Sequence, residues 1–129
     1  MENPAMSVAA RLSEVAEPTI RQPVAPPSSG RPIDLVHLAR QTCGDRALER
    51  SVLSMLARQI EAAETELRRL PASERAPLVH GLKGTARNVG AFTLADAAAD
   101  LEAGPASGER FDALIAAMVA TRLYAAALV

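Results

Sequence analysis

Between Leu48 and Leu70 the apolar residues Leu48, Val52, Met55, Leu56, Ile60, Ala63, Leu67 and Leu70 recur mostly at intervals of three and four. That spacing draws one stripe along a helix, with Glu49, Arg50, Arg58, Glu61, Glu64 and Arg68 mainly on its other faces. Asp45 is placed to cap the start and Pro71 to end it, giving a helix of about 25 residues and roughly 37 Å. A stripe of that length has to be covered by other helices, and this constrains the fold more than any other feature.

The remaining chain supplies those partners. After Pro32, the run Ile33 to Arg40 reads as a helix of about three turns, with Asp34 as an N-terminal cap or first-turn acid and Gly44 beyond its end. Ser73 is a natural cap for a third helix, but Pro77 is tolerated only in a first turn, so the entry is expected to kink or to start later than Ser73. Its core positions are read as Leu78, Leu82, Ala86 and Val89, with Gly90 as a left-handed C-terminal cap. A fourth helix turns Leu94, Ala97, Ala98 and Leu101 inward, with Asp96, Asp100 and Glu102 at its boundary. After the break from Gly104 to Gly108, a last helix begins near Glu109 and carries Phe111, Leu114, Ile115, Met118 and Val119. Apolar residues are 49% of the chain but aromatics only 2%, which favours close-packed helices over a sheet sandwich. The expected fold is all-α: an antiparallel four-helix bundle over residues 32–129, with the short Pro32 to Thr42 helix covering one end.

Residues 1–31 carry Pro4, Pro18, Pro23, Pro26 and Pro27 and then Ser28, Ser29 and Gly30, the composition of a flexible leader. A short helix between Ser7 and Ala16 has Val8, Leu12 and Val15 at helical spacing, although a helix of that length is marginal alone. The leader lacks the continuous apolar core of a signal peptide. Fourteen basic against 15 acidic residues argue against a dedicated nucleic-acid binder. Cys43 is the single cysteine, so an internal disulfide is excluded and a reduced, cytoplasmic setting fits. Arg122 interrupts the most apolar run, Ala113 to Val129, which reads as a packed terminal helix and not a membrane span. His37 and Cys43 are too few for a metal site, and His37 is read as a partly buried helix residue.

The chemistry concentrates between His80 and Gly90. His80 lies about 160° from both Leu78 and Leu82 around the helix, so it faces away from the core. Lys83, Gly84 and Arg87 follow at three, four and seven residues, on the same outward face. Gly81 and Gly84 together forgo roughly 2 kcal/mol of helix propensity relative to alanine. At Gly84 the missing side chain would let another protein approach the imidazole, whereas Gly81 better suits close helix packing. Lys83 is the only lysine beside 13 arginines. Its compact cation could neutralise part of the charge of a phosphoryl group on His80, with Arg87 adding a more distant positive field.

This stretch closely resembles the signature of histidine-containing phosphotransfer (HPt) domains, His-x-Leu-Lys-Gly-Ser-Ala-x-Asn-x-Gly. The match includes His80, Leu82, Lys83, Gly84, Ala86, Asn88 and Gly90, with Thr85 in place of the usual serine. Ile33-Asp34-Leu35 is similar to the family's opening, and Leu94 through Leu101-Glu102 to its following helix. The resemblance implies a phosphorelay intermediate that carries a phosphoryl group between aspartates of response-regulator receiver domains, one candidate being the receiver of a hybrid histidine kinase. His80 would be phosphorylated on Nε2. An ordinary imidazole, with a pKa of about 6.5, is mostly neutral at neutral pH, as a nucleophile must be. Glu102 matches the family position whose side chain bonds the other ring nitrogen and fixes the tautomer. Thr85 and Asn88 are expected to serve packing or helix-end hydrogen bonds.

The implied protein is a phosphocarrier and not a kinase, because no nucleotide-binding motif is present. It needs no cofactor of its own, since the Mg²⁺ ion would belong to the receiver. Neither nucleic acid nor membrane is expected as a partner, and the chain is expected to be a monomer. The alternative is a helical adaptor that binds receivers without phosphotransfer, for which binding would survive His80→Ala and no phosphohistidine would form. The presence of both His80 and Lys83 argues against it.

Overall fold

The structure, a computed structural model, describes residues 31–104 and 108–129. The Pro-rich leader through residue 30, its Ser7 to Ala16 helix and the centre of the Gly104 to Gly108 break lie outside the described residues. Among the described residues five α-helices form: α1 (Leu35–Gln41), α2 (Arg46–Arg69), α3 (Ala76–Val89), α4 (Phe92–Ala103) and α5 (Gly108–Ala127). No strand occurs among the described residues. Helix α2 packs on α5, α5 on α4, α4 on α3 and α3 on α2, so the four longer helices close a ring around one core. Helix α1 lies against α3.

The helix boundaries follow from short-range chemistry. Asp34 accepts from the Val36 and His37 amides, and Asp45 accepts from the Leu48 amide. Each such cap satisfies donors that the first helical turn leaves free, and its replacement by alanine typically costs about 1 kcal/mol. The first helix has seven residues, not three full turns, because the chain reverses through Cys43 and Gly44, both at positive φ. Between α2 and α3, residues Ala72–Glu74 form a 3₁₀ turn, and α3 starts at Ala76 with Pro77 in its first turn. Ser73 makes no capping bond there. Arg75 takes over the junction: its Nε donates to the Leu67 and Leu70 carbonyls, and its guanidinium lies 3.8 Å from the Phe111 ring centroid.

The buried face of α2 differs from the expected stripe. Leu53, Leu56, Ile60 and Leu67 are buried, whereas Leu48 and Met55 are 46% and 49% exposed. Both sets have helical spacing, and the positions of α3 and α5 decide between them. On α3 the buried residues are Val79, Leu82 and Ala86, with Leu78 and Val89 only partly covered. On α4, Leu94, Ala95 and Ala98 form the inner face, and Ala97 and Leu101 flank it. Helix α5 buries Leu114, Ile115, Met118, Thr121 and Ala125, with the Thr121 hydroxyl donating back to the Ala117 carbonyl.

The α3–α4 connection is only Gly90 and Ala91. Gly90 adopts φ +89°, the Ala91 amide donates to the Ala86 carbonyl at 2.8 Å, and the Gly90 amide donates to the Arg87 carbonyl. This is the Schellman arrangement that closes a helix on a left-handed residue. Gly90 also anchors α1, because its carbonyl accepts from the Asp34 amide at 2.8 Å. A Cβ on Gly90 would lie 3.1 Å from both the Asp34 carbonyl oxygen and His37 Cδ2. Conformation and space both require glycine here.

Candidate functional site

From the second turn of α3, His80 projects with 73% of its side chain accessible. Val79 and Leu82 are buried on the opposite side of the helix, which fixes the imidazole outward. The short Gly90–Ala91 link then brings α4 back beside α3. Glu102, in the last turn of α4, meets His80: Glu102 Oε2 lies 2.8 Å from His80 Nδ1. The other carboxylate oxygen, Oε1, is ion-paired with the Lys83 ammonium. One carboxylate from α4 is thus held by two side chains of α3.

These contacts determine where the protons sit. The Lys83 ammonium and then the His80 imidazole donate hydrogen bonds to Glu102 and hold its carboxyl below the ordinary value of 4.5. An ionised carboxylate only accepts hydrogen bonds, so His80 Nδ1 carries the proton facing it. In the neutral ring, Nε2 therefore bears the lone pair at the opposite edge. The site presents a nucleophilic nitrogen on an exposed imidazole and a fixed negative charge behind the ring.

The residues read from the sequence occupy different places around this ring. Gly84 and Arg87 are exposed, and Arg87 makes no ion pair among the described residues. Lys83 is not an open surface cation; only 18% of its side chain is accessible, and it turns toward α4. A Cβ added at Gly84 would meet nothing within 4 Å, consistent with a glycine that bares the surface beside His80. The same holds for Gly81, so close helix packing does not explain that residue. Gly81 instead borders a groove of about 230 Å³ between α2 and α3, lined also by Leu56, Ile60, Leu78 and Thr85. Asn88 contributes its backbone: its carbonyl accepts from His37 Nε2 at 3.0 Å, while its side chain makes no hydrogen bond among the described residues.

His37, half-buried as expected, was not linked to this helix by any sequence signal. Its ring packs edge-on to Phe92 with centroids 5.2 Å apart, so it braces the far end of α3. Among the described residues no three His, Cys, Asp or Glu side chains gather into a metal site. No helix among them is long and apolar enough to cross a membrane.

The fold and this constellation can be set beside known proteins. Neither curated proteins nor solved structures give a significant match. A family model does: the Hpt domain matches residues 47–123, which span α2 through most of α5 and include His80, Lys83 and Glu102. Hpt domains perform histidine phosphotransfer in phosphorelay signalling and interact there with receiver domains. With well over half of its length matched and a solvent-facing histidine on α3, the chain belongs to the Hpt domain family.

Proposed function

We propose that this protein is a phosphorelay intermediate that carries a phosphoryl group on His80 Nε2 between aspartates of receiver domains. The observation that carries the proposal is the His80 Nδ1 to Glu102 hydrogen bond beneath an imidazole whose other edge faces solvent. The Nε2 lone pair attacks the phosphorus of a receiver's aspartyl phosphate. A bond forms between Nε2 and phosphorus as the bond from phosphorus to the aspartate oxygen breaks, and the aspartate leaves as a carboxylate. The ring acquires positive charge, which the Glu102 carboxylate behind Nδ1 stabilises. Return transfer to a second aspartate reverses the step.

In this reading the phosphotransfer unit is an antiparallel bundle over residues 32–129, with α1 across one end. Arg87 supplies positive charge near the transferring group, and Gly84 keeps the approach to His80 open. Mg²⁺ is provided by the receiver, the protein acts as a cytoplasmic monomer, and it has no ATP-dependent autokinase activity. Incubation with a phosphorylated receiver domain should label the protein with an acid-labile, base-stable phosphoryl group. His80→Gln, with its fold intact by circular dichroism, should lose the label, and undiminished labelling of that variant would refute the proposal. Partner binding that survives His80→Ala, together with no phosphohistidine on the parent protein under any donor tested, would favour a binding-only adaptor.

A further inference from the structure

We infer that Lys83 is a positioning residue that acts on His80 through Glu102, holding the carboxylate so that it selects the Nδ1–H tautomer. This deepens the phosphotransfer reading and rests on it for its kinetic consequence. The geometry differs from that of a cation waiting for a phosphoryl group. The Lys83 side chain is largely covered, and its ammonium bonds the Glu102 oxygen that His80 leaves unused. The ammonium is thus engaged by the same carboxylate that bonds Nδ1.

A glutamate side chain on a helix surface has several torsions free to rotate, and its carboxylate can turn either oxygen outward. With Oε1 fixed by Lys83, Oε2 is left facing Nδ1. An outer partner that orients a ligand of histidine in this way controls which ring nitrogen is protonated. Without Lys83 the carboxylate would sample orientations that release Nδ1, and the fraction of rings presenting the Nε2 lone pair would fall. Arg87, one turn farther along α3, is exposed and unpaired among the described residues, and it does not touch Glu102. Lys83 is therefore the cation that holds this carboxylate.

Two measurements test the inference. The first is nitrogen NMR of ¹⁵N-histidine-labelled protein without any partner. Lys83→Met, which keeps length and apolar packing, should move the His80 ring-nitrogen pattern away from the Nδ1–H form, while His37 signals stay unchanged. The second is a double-mutant cycle on transfer from a phosphorylated receiver. Lys83→Met alone should slow transfer on the order of tenfold, the lower end of the loss that follows removal of an outer partner of a metal-ligating histidine. In the Glu102→Gln background the same substitution should change the rate by less than about twofold, because coupled residues are not additive. A parent-like ring pattern in Lys83→Met would overturn the inference. So would a rate loss that persists undiminished beside Glu102→Gln, since Lys83 would then act directly on the phosphoryl group. The ring measurement separates the two readings: a shifted pattern in a protein that accepts no phosphoryl group would sustain the positioning role and retire the phosphotransfer one.

Discussion

The two histidines of this chain sit near opposite ends of α3 and use opposite nitrogens. His37 donates from Nε2 to the Asn88 carbonyl, packs on Phe92 and lies against the glycine that caps the helix. His80 donates from Nδ1 to Glu102 and leaves Nε2 facing solvent. Each region also depends on glycine, again in opposite ways. Gly90 is held at φ +89° with no space for a Cβ, whereas Gly84 is helical with open space around it. One end of the helix is built to hold the fold together and the other to be reached. A histidine becomes a candidate nucleophile through which nitrogen its neighbours occupy, and exposure alone does not decide it.

The sharpest way to break this contrast is to exchange the fates of the two rings. His80→Gln should abolish phosphoryl labelling completely, while His37→Ala should retain labelling and lose about 1–2 kcal/mol of stability with its hydrogen bond and ring contact. Chemical denaturation beside a labelling assay reads both. Labelling that follows His37 and not His80 would invert the comparison.

The glycines come next. Gly90→Ala should destabilise the protein by about 2 kcal/mol, from the left-handed backbone and the crowding against Asp34 and His37. Gly84→Ala should instead stabilise it by about 1 kcal/mol, because a helical Cβ is gained at no steric cost. Gly84→Leu should keep or raise the melting temperature and weaken receiver binding in titration calorimetry. A lowered melting temperature with unchanged binding would make Gly84 a structural residue like Gly90.

The smallest effect concerns pH. Glu102 is held below its ordinary value of 4.5, first by Lys83 and then by His80. A carboxyl depressed on folding contributes its stability fully above the ordinary value, and that contribution disappears only as pH falls through the depressed one. The His80 to Glu102 hydrogen bond should therefore survive below pH 4.5 in the parent. In Lys83→Met it should be lost at higher pH. Side-chain carboxyl NMR of Glu102 during acid titration would follow both.

Much of this was legible from local sequence. Asp34, Asp45, Gly90 and Pro77 act within a few residues of themselves, so their chemistry is readable without tertiary structure. The outward setting of His80 followed from the angle to Leu82, since one secure core residue fixes the phase of a helix. The α2 face was harder, because Leu48, Val52 and Met55 compete with Leu53 in overlapping periodic stripes. Only the packing of α5 and α3 chooses Leu53. Leu78 and Val79 posed the same ambiguity on α3. The orientation of Lys83 was invisible for a different reason: its partner is on another helix, and helix periodicity describes a direction from one axis, not what stands there. Glu102 had the right position in the motif, but its reach to Nδ1 depends on the turn at Gly90 bringing α4 back alongside α3.

That turn also has a topological consequence. His80, Lys83 and Glu102 lie on one continuous α3–α4 hairpin, with the imidazole and the carboxylate 22 positions apart in sequence. Closing such a short span carries a small loop entropy, and contacts of this kind favour rapid assembly. Circular permutants opened in the turn before α2, or in the one between α2 and α3, would keep the reacting trio on an unbroken segment. The site is in that sense portable: its geometry is written within a single supersecondary unit, and the remaining helices serve to keep that unit closed.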